Sequence, residues 1–483
     1  MENIKQLSEY CLNCKTKLCQ KACPLGNDIP QFIKNIKEEN YEEAYKVLSR
    51  TTVLESICGR ICPHMSQCMG SCVRGIKSEP VSIGELEAFV GDLAIKNNYE
   101  MDYNIFENSI DNNLEKSIER TAEKNYEDSI QRNSGKNTDD SIQRNAEIDK
   151  KNITKKIAII GSGPAGLTCA AFLARKGFNV TIYEKHKKLG GILRHGIPEF
   201  RLDKNILDNT IQKILDLGIN VKYNIELGVD ISIQELTNQY DSIFIAIGAN
   251  IPWKMGIEGE ELEGVYGGNS LLENSTYSES SEMENPTYLE YNKIENSKTH
   301  PDYTGKNVAI IGGGNVAMDC ARTINKMGAK KVTVIYRRAE EQMPAERKEI
   351  EDAKSEGVEF LFQTNIIKIL GENKVEKIEC VKTQLVQKEG DLRLSPVDIE
   401  NTNFELEMDY VVMAIGATVE DEIVSSLGLE CDKKGYIKVN ENFETSMKNV
   451  YAGGDVAGGK ATVAWAARSG RDVAEIIEEE SKK

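Results

Sequence analysis

The chain has 483 residues and a formal net charge of −17, with 60 basic against 77 acidic side chains. Such an excess of negative charge argues against nucleic acid and against an anionic membrane surface as partners. There is no apolar run of about eighteen residues and no signal-peptide pattern at the N-terminus, so a cytoplasmic protein of about three domains is expected.

Residues 1–98 hold eight of the twelve cysteines. The first group is Cys11-x2-Cys14-x4-Cys19-x3-Cys23-Pro24, and the second is Cys58-x3-Cys62-Pro63-x5-Cys68-x3-Cys72. Between them Ile29, Phe32, Ile33, Ile36, Ala44, Val47 and Leu48 recur at helical spacing, and a further short helix is predicted over Ile83 to Lys96. Crowded cysteines in a cytoplasmic chain point to metal rather than disulfides. Structural zinc favours paired CxxC knuckles, and only Cys11 and Cys14 form one. The Cys-Pro endings resemble ferredoxin-style ligation, although x4 replaces the usual x2. Iron–sulfur is therefore preferred over zinc, as two [4Fe–4S] clusters.

Residues 99–152 contain a twelve-residue repeat starting at Ser117, Ser129 and Ser141, rich in Asn, Ser, Asp, Glu and Lys. It holds too little apolar surface to offset chain entropy and reads as a linker. Residues 273–302 have a similar composition and read as a second insert.

Lys155 to Lys185 reads apolar run, Gly161-x-Gly163-x-x-Gly166, helix, second apolar run, Glu184. The glycines permit a tight turn, close approach of a pyrophosphate, and close helix–strand packing. The helix N-terminus faces the phosphates, and the acid can bond a ribose hydroxyl. The glycine-dense loop Leu189 to Pro198 allows backbone to approach a flat ring. His195 in that loop has no paired acid or nucleophile nearby in sequence and reads as a loop histidine. Ile243 to Ile247 is a buried strand that ends at Gly248-Ala249.

The pattern recurs at Asn307 to Arg338, with Gly312-x-Gly314-x-x-Ala317. Here Arg337 stands where Glu184 stood. A carboxylate suits a bare ribose, whereas an arginine pair, Arg337 and Arg338, suits the 2′-phosphate of NADPH. FAD at the first turn and NADPH at the second is the economical reading. Strands are predicted near Val358–Phe362 and Lys377–Val386, and the stretch ending in Ile415-Gly416-Ala417 repeats Ile247-Gly248-Ala249. Near the C-terminus, Asn449 to Asp455 delivers Asp455 to a glycine turn, where its carboxylate can bond a flavin's ribityl chain. A helix over Ala464–Glu478 follows, with its N-terminus toward the flavin.

These motifs resemble those of the NADPH-dependent glutamate synthase small-subunit family. The carriers are CxxCxxxxCxxxCP, CGRICP with QCMGSC, GSGPAG, GILRHGIPEFRL, GGGNVAMD, YRR with MPAER, and YAGGD with ATVAWAARSGR. The same module occurs in the large subunit of electron-bifurcating ferredoxin:NADP oxidoreductase and in dihydropyrimidine dehydrogenase. The x5 gap between Cys62 and Cys68 is closer to those two branches.

The resemblance implies an α/β fold with two Rossmann-like nucleotide-binding domains. The NADPH domain (303–420) would be inserted in a split FAD domain (154–272 and 421–483), with a mainly helical iron–sulfur domain (1–98) in front. It implies one cluster on Cys11, Cys14, Cys19 and Cys72. A second would sit on Cys23, Cys62, Cys68 and a non-cysteine ligand carried onto Glu87, with Cys58 spare. Gly161, Gly163, Gly166, Glu184, Gly191 and Asp455 are expected at FAD. Gly312, Gly314, Asn315, Arg337 and Arg338 are expected at NADPH. Pro164, Ala165, Lys185, Arg194, Gly248, Val316, Asp319, Gly416, Gly454, Ala461, Thr462 and Val463 complete the expected cofactor-binding set.

The implied activity passes electrons from NADPH through FAD and the clusters to a protein partner, with no side chain as acid, base or nucleophile. The partner would be a glutamate synthase large subunit or another electron-accepting chain. A bifurcating subunit and a reductase of another acceptor are the alternatives within the class, and a nucleotide-binding scaffold without turnover is the alternative outside it.

Overall fold

The structure, a computed structural model, describes residues 2–102, 155–278, 301–387, 394–419 and 421–482. The twelve-residue repeats and most of the second low-complexity segment lie outside the described residues.

The N-terminal region is helical: Glu2–Glu9, Leu18–Ala22, Ile29–Lys37, Tyr41–Ser49, Glu55–Ile61 and Ile83–Lys96. Asp28 starts Ile29–Lys37 by accepting a hydrogen bond from the Gln31 N–H, and Pro30 sits in the first turn, where its missing N–H costs nothing. Ile29, Phe32, Ile33 and Ile36 line its buried face. Helices Glu55–Ile61 and Ile83–Lys96 cross with their backbones touching. A Cβ on Gly59 would lie 2.4 Å from the Ala88 nitrogen, so only glycine fits there. That crossing brings the second cysteine group beside Glu87. The apolar core of these helices runs without a break into the next domain, through Leu54 and Ile57 to Leu167, Phe172 and Ile477.

Two five-stranded parallel sheets follow, with the same internal order. Across the first run Val450–Ala452, Ser242–Ile245, Lys156–Ile160, Asn179–Glu184 and Asn220–Tyr223. Across the second run Val265–Gly267, Tyr410–Met413, Asn307–Ile311, Lys331–Tyr336 and Glu359–Phe362. In both, a glycine turn follows the middle strand, and its helix (Pro164–Ala174 or Asn315–Lys326) crosses over to the next parallel strand.

The outer strands are supplied from across the chain. The first sheet takes Val450–Ala452 from beyond the second domain, and the second takes Val265–Gly267 from before it. Sequence placed residues 265–272 with the first domain, whereas strand pairing puts Val265–Gly267 in the second sheet. A short antiparallel ribbon, Ile251–Pro252 with Ala417–Thr418, joins the two domains. Its strands come at the ends of the two duplicated Ile-Gly-Ala segments, Ile251–Pro252 just after the first and Ala417–Thr418 from the last residue of the second. A four-stranded antiparallel layer (Thr364–Leu370, Lys377–Val386, Ser395–Asp398, Phe404–Glu407) has no counterpart among the described residues of the first domain. Among the described residues no helix is long and apolar enough to cross a membrane.

Candidate functional site

At the first turn Gly161 has φ +97° and donates its N–H to the Tyr183 carbonyl at 2.8 Å. A Cβ on Gly166 would lie 2.0 Å from the Gly161 oxygen, so the third glycine is required by packing. A Cβ on Gly163 would meet nothing within 4 Å. The turn therefore presents open space at its second glycine, beside the free N–H groups of helix Pro164–Ala174, as a pyrophosphate needs. Glu184 is buried beneath it. Its Oε2 accepts from the Ser162 N–H at 3.0 Å and from the Ser162 hydroxyl, and its Oε1 accepts from the His186 N–H at 2.9 Å. The Ser162 hydroxyl also accepts from the Gly190 N–H at 3.0 Å. Ser162 thus ties Glu184, the glycine turn and the Leu189–Pro198 loop together. Sequence reasoning passed over it as the variable residue of the motif.

The C-terminal segment closes on the same place. A Cβ on Gly470 would lie 2.1 Å from the Ala165 oxygen, so helix Val463–Ser481 passes directly over the start of Pro164–Ala174. Gly454 donates its N–H to the Ser469 hydroxyl at 2.8 Å. The Thr462 side chain caps the last helix by accepting from the Trp465 N–H at 3.4 Å. Burial raises the carboxyl pKa of Asp455, partly offset by a hydrogen bond from the Ala461 backbone. Asp455, Ala461, Thr462 and Val463 therefore gather at the N-terminal end of the last helix, against Ala165.

Other expected residues serve the scaffold. Arg194 donates to the Leu189 carbonyl at 2.6 Å and pairs with Asp208, and Lys185 lies 3.7 Å from Glu226. Gly248 and Gly416 lead into the inter-domain ribbon, where Trp253 donates its N–H to the Gly416 carbonyl at 3.1 Å. His195 stacks on His186, with ring centroids 4.2 Å apart, and burial holds the pKa values of both down, to about 4 and about 2.

At the second turn Gly312 donates its N–H to the Ile335 carbonyl at 3.1 Å, and a Cβ on Gly314 would again meet nothing within 4 Å. Asn315 accepts from the Glu346 N–H at 2.9 Å, and Ala345 donates to the Gly313 carbonyl at 3.1 Å, so the Met343–Arg347 segment folds over the turn. Arg337 is exposed at the strand end, without a side-chain partner among the described residues. Arg338 donates from Nε to the Leu394 carbonyl at 3.2 Å. Val316 packs against Gly268. Asp319, expected at the nucleotide, is buried and paired with Arg201 of the first domain. Burial raises its pKa to about 7, against the pull of that guanidinium.

The cysteines separate into two sets. Cys11, Cys14, Cys19 and Cys72 line one small cavity, walled by Leu12, Leu18, Ile33 and Val73 among others. Burial raises the thiol pKa of Cys11, and that of Cys19 to about 11. The second set is more deeply buried. Glu87 accepts from the Asn27 side-chain amide at 3.0 Å, and Asn27 in turn accepts from the Thr51 hydroxyl at 2.7 Å. Burial pushes the Glu87 carboxyl up to about 8. Burial, then the Glu87 charge, raises Cys23 to about 11 and raises Cys68 further. A hydrogen bond from Cys58 favours the Cys62 thiolate, while burial and the Glu87 charge push its pKa up overall. Among the described residues no three His, Cys, Asp or Glu side chains converge as on a single metal ion. The first four thiols instead ring an apolar cavity, a donor set that fits a sulfur-rich cluster.

The last helix links this region to the first turn. Arg468 donates to the Pro24 carbonyl at 2.9 Å and Arg471 to the Leu25 carbonyl at 2.7 Å, directly after Cys23.

This fold and these sites define an NAD(P)H-dependent flavoprotein oxidoreductase with an iron–sulfur module in front. Family models agree: "pyridine nucleotide-disulphide oxidoreductase" matches residues 155–470, and "dihydropyrimidine dehydrogenase domain II, 4Fe-4S cluster" matches residues 1–99. The small chain of glutamate synthase [NADPH] from Escherichia coli K12 is 30% identical over 480 residues, covering 98% of this chain and 90% of that one. The beta subunit of NADP(+)-dependent formate dehydrogenase from Moorella thermoacetica is 35% identical over 466 residues, covering 96% of this chain but 60% of that longer one. Among solved structures, Mycobacterium tuberculosis FprA in complex with NADPH has a TM-score of 0.57 at 21% identity, covering 68% of this chain and 85% of that one, a likeness of fold. The chain belongs to the glutamate synthase small-chain family, within the pyridine nucleotide-disulphide oxidoreductases.

Proposed function

We propose that the chain binds FAD at the Gly161 turn, NADPH at the Gly312 turn and two [4Fe–4S] clusters, and hands electrons from NADPH to a protein partner. When bound, the flavin converts a two-electron input into single electrons, which the clusters carry. The chain's own residues bind, orient and insulate. Gly163 and Gly314 leave space for pyrophosphates, Glu184 offers a ribose partner, and Arg337 offers its fork to a 2′-phosphate. The N-terminus of helix Val463–Ser481 supports negative charge beside Asp455. The two cysteine sets, the second completed by Glu87, hold the clusters.

The observation that carries this reading is the double duty of the last helix. Gly470 packs on Ala165, at the start of the helix after the Gly161 turn, while Arg468 and Arg471 on either side of it grip the backbone beside Cys23. One stretch of one helix then braces both the flavin turn and a cluster loop. A glutamate synthase large subunit is one partner that fits this role, and another electron-accepting chain is the alternative. The test is anaerobic purification with cofactor analysis. One FAD and about eight iron atoms per chain support the reading. About four irons would remove one cluster, and zinc in place of iron would overturn it.

A further inference from the structure

The loops that hold the first cysteine set differ in charge from the rest of the molecule. The chain as a whole carries −17, yet residues 10–27 and 65–78 contain Lys15, Lys17, Lys21, Arg74 and Lys77 and no Asp or Glu. Two of these cations are engaged: Lys17 with Asp28 at 2.7 Å, and Arg74 over the Tyr10 ring at 4.6 Å. Lys15, Lys21 and Lys77 are exposed, and among the described residues none has an ion-pair partner. The same loops carry large apolar side chains in water: Ile76 is 77% exposed, Leu12 57% and Leu18 43%. Lys21, Leu18 and Ile76 border one shallow groove whose wall includes Cys72, and Leu18 and Cys72 also line the four-cysteine cavity.

We propose that this rim, with Leu12, Leu18 and Ile76 at its centre and Lys15, Lys21 and Lys77 around them, is the docking surface for a redox protein with an acidic face. The inference rests on the reading that electrons leave through the first cysteine set. Complementary charge concentrates and orients an encounter, and exposed apolar side chains give it a dry centre. The chain's overall charge of −17 repels an acidic partner on average, so this patch favours productive collisions beside the four-cysteine cavity. Small, transient redox interfaces of below about 1,200 Å² need no more than such a patch.

The test compares two acceptors of the same chemistry and opposite charge, native cytochrome c (basic) and fully succinylated cytochrome c (acidic). One NADPH gives NADP+, a proton and two electrons, which reduce two ferric haems to ferrous. The holoprotein should reduce the acidic form at least about tenfold faster at low ionic strength, and the preference should disappear in about 0.3 M salt. The triple variant Lys15→Glu/Lys21→Glu/Lys77→Glu should reverse the preference, and the triple Gln variant should fall between. Iron content and bleaching of the flavin by NADPH should be unchanged in both. Equal loss toward both cytochromes would mean that the lysines act on the cluster itself, and would overturn the proposal. So would a preference for the basic form in the native chain. Failure of NADPH to bleach the flavin at all would instead strike the functional reading on which the proposal rests.

Discussion

Arg201 and Asp319 form a buried ion pair between the two nucleotide domains, with Nη1 at 3.1 and 2.8 Å from the two carboxylate oxygens and side chains 7% and 4% exposed. Glu349 extends the pair, 3.2 Å from Arg201 and 2.5 Å from Arg322, and Arg322 lies over the Phe200 ring at 4.4 Å. The loop that follows the first glycine-rich segment is in this way docked on the helix that follows the second. Removing one partner of such a pair leaves a buried charge unmatched, at a cost of about 3–5 kcal/mol. Arg201→Met is expected to lower the thermal unfolding midpoint and to slow flavin reduction by saturating NADPH. Replacing both residues with apolar ones should recover most of the stability. Stopped-flow absorbance and calorimetry measure the two effects, and an unchanged Arg201→Met protein would sink the docking role.

Glu55 is buried in the iron–sulfur region, and burial raises its pKa from 4.5 to about 7 despite a hydrogen bond from its own backbone. Its folded-state pKa lies above the unfolded one, so the folded chain binds the extra proton. Stability then falls as pH rises through the window from about 4.5 to about 7, by up to roughly 3 kcal/mol. Glu55→Gln is expected to raise the unfolding midpoint at pH 8.5 and to change it little at pH 5. A constant offset at both pH values would show that the carboxyl does not titrate in this window.

At the second turn the two arginines are not equivalent. Arg338 is partly committed to the Leu394 carbonyl, whereas Arg337 is exposed at the position matching Glu184. Arg337→Ala should raise KM for NADPH about tenfold or more and leave KM for NADH nearly unchanged, the scale of a lost charge-assisted contact. Arg338→Ala should do less. Equal effects on the two nucleotides would remove the 2′-phosphate role.

Cys11→Ser is expected to lose about half the iron, because it opens one cluster set and leaves the other. Cys58 is buried and donates a hydrogen bond to Cys62, and the ligand set carried from the family leaves it spare. Cys58→Ser should therefore keep its iron while shifting the spectrum of the second cluster. Iron analysis and low-temperature electron paramagnetic resonance separate the two variants, and loss of iron on Cys58→Ser would make it a ligand.

Much of this was legible in the sequence because it is local. Each glycine turn, its helix and its acid or arginine lie within about thirty residues of one another, and the helices expected over Ile83–Lys96 and Ala464–Glu478 lie at Ile83–Lys96 and Val463–Ser481. What was not legible joins distant segments. The Val265–Gly267 strand is too short to show a period, and only pairing with Tyr410–Met413 assigns it to the second sheet. The antiparallel layer was read in one strand, because Thr364–Leu370 loses its alternation at a bulge between Ile366 and Lys368. Asp319 is the last residue of GGGNVAMD, and the family resemblance carried by that motif put it in the expected cofactor-binding set. Its partner Arg201 is 118 residues away in sequence and leaves no local signal.

The most direct test of the central claim is an anaerobic visible spectrum of the purified chain during addition of NADPH and, separately, NADH. We expect NADPH to bleach both the flavin bands and the broad iron–sulfur absorbance, and NADH to do so only at much higher concentration. A protein that holds flavin and iron yet keeps its oxidised spectrum under excess NADPH would contradict electron entry at the Gly312 turn and leave the chain a nucleotide-binding scaffold.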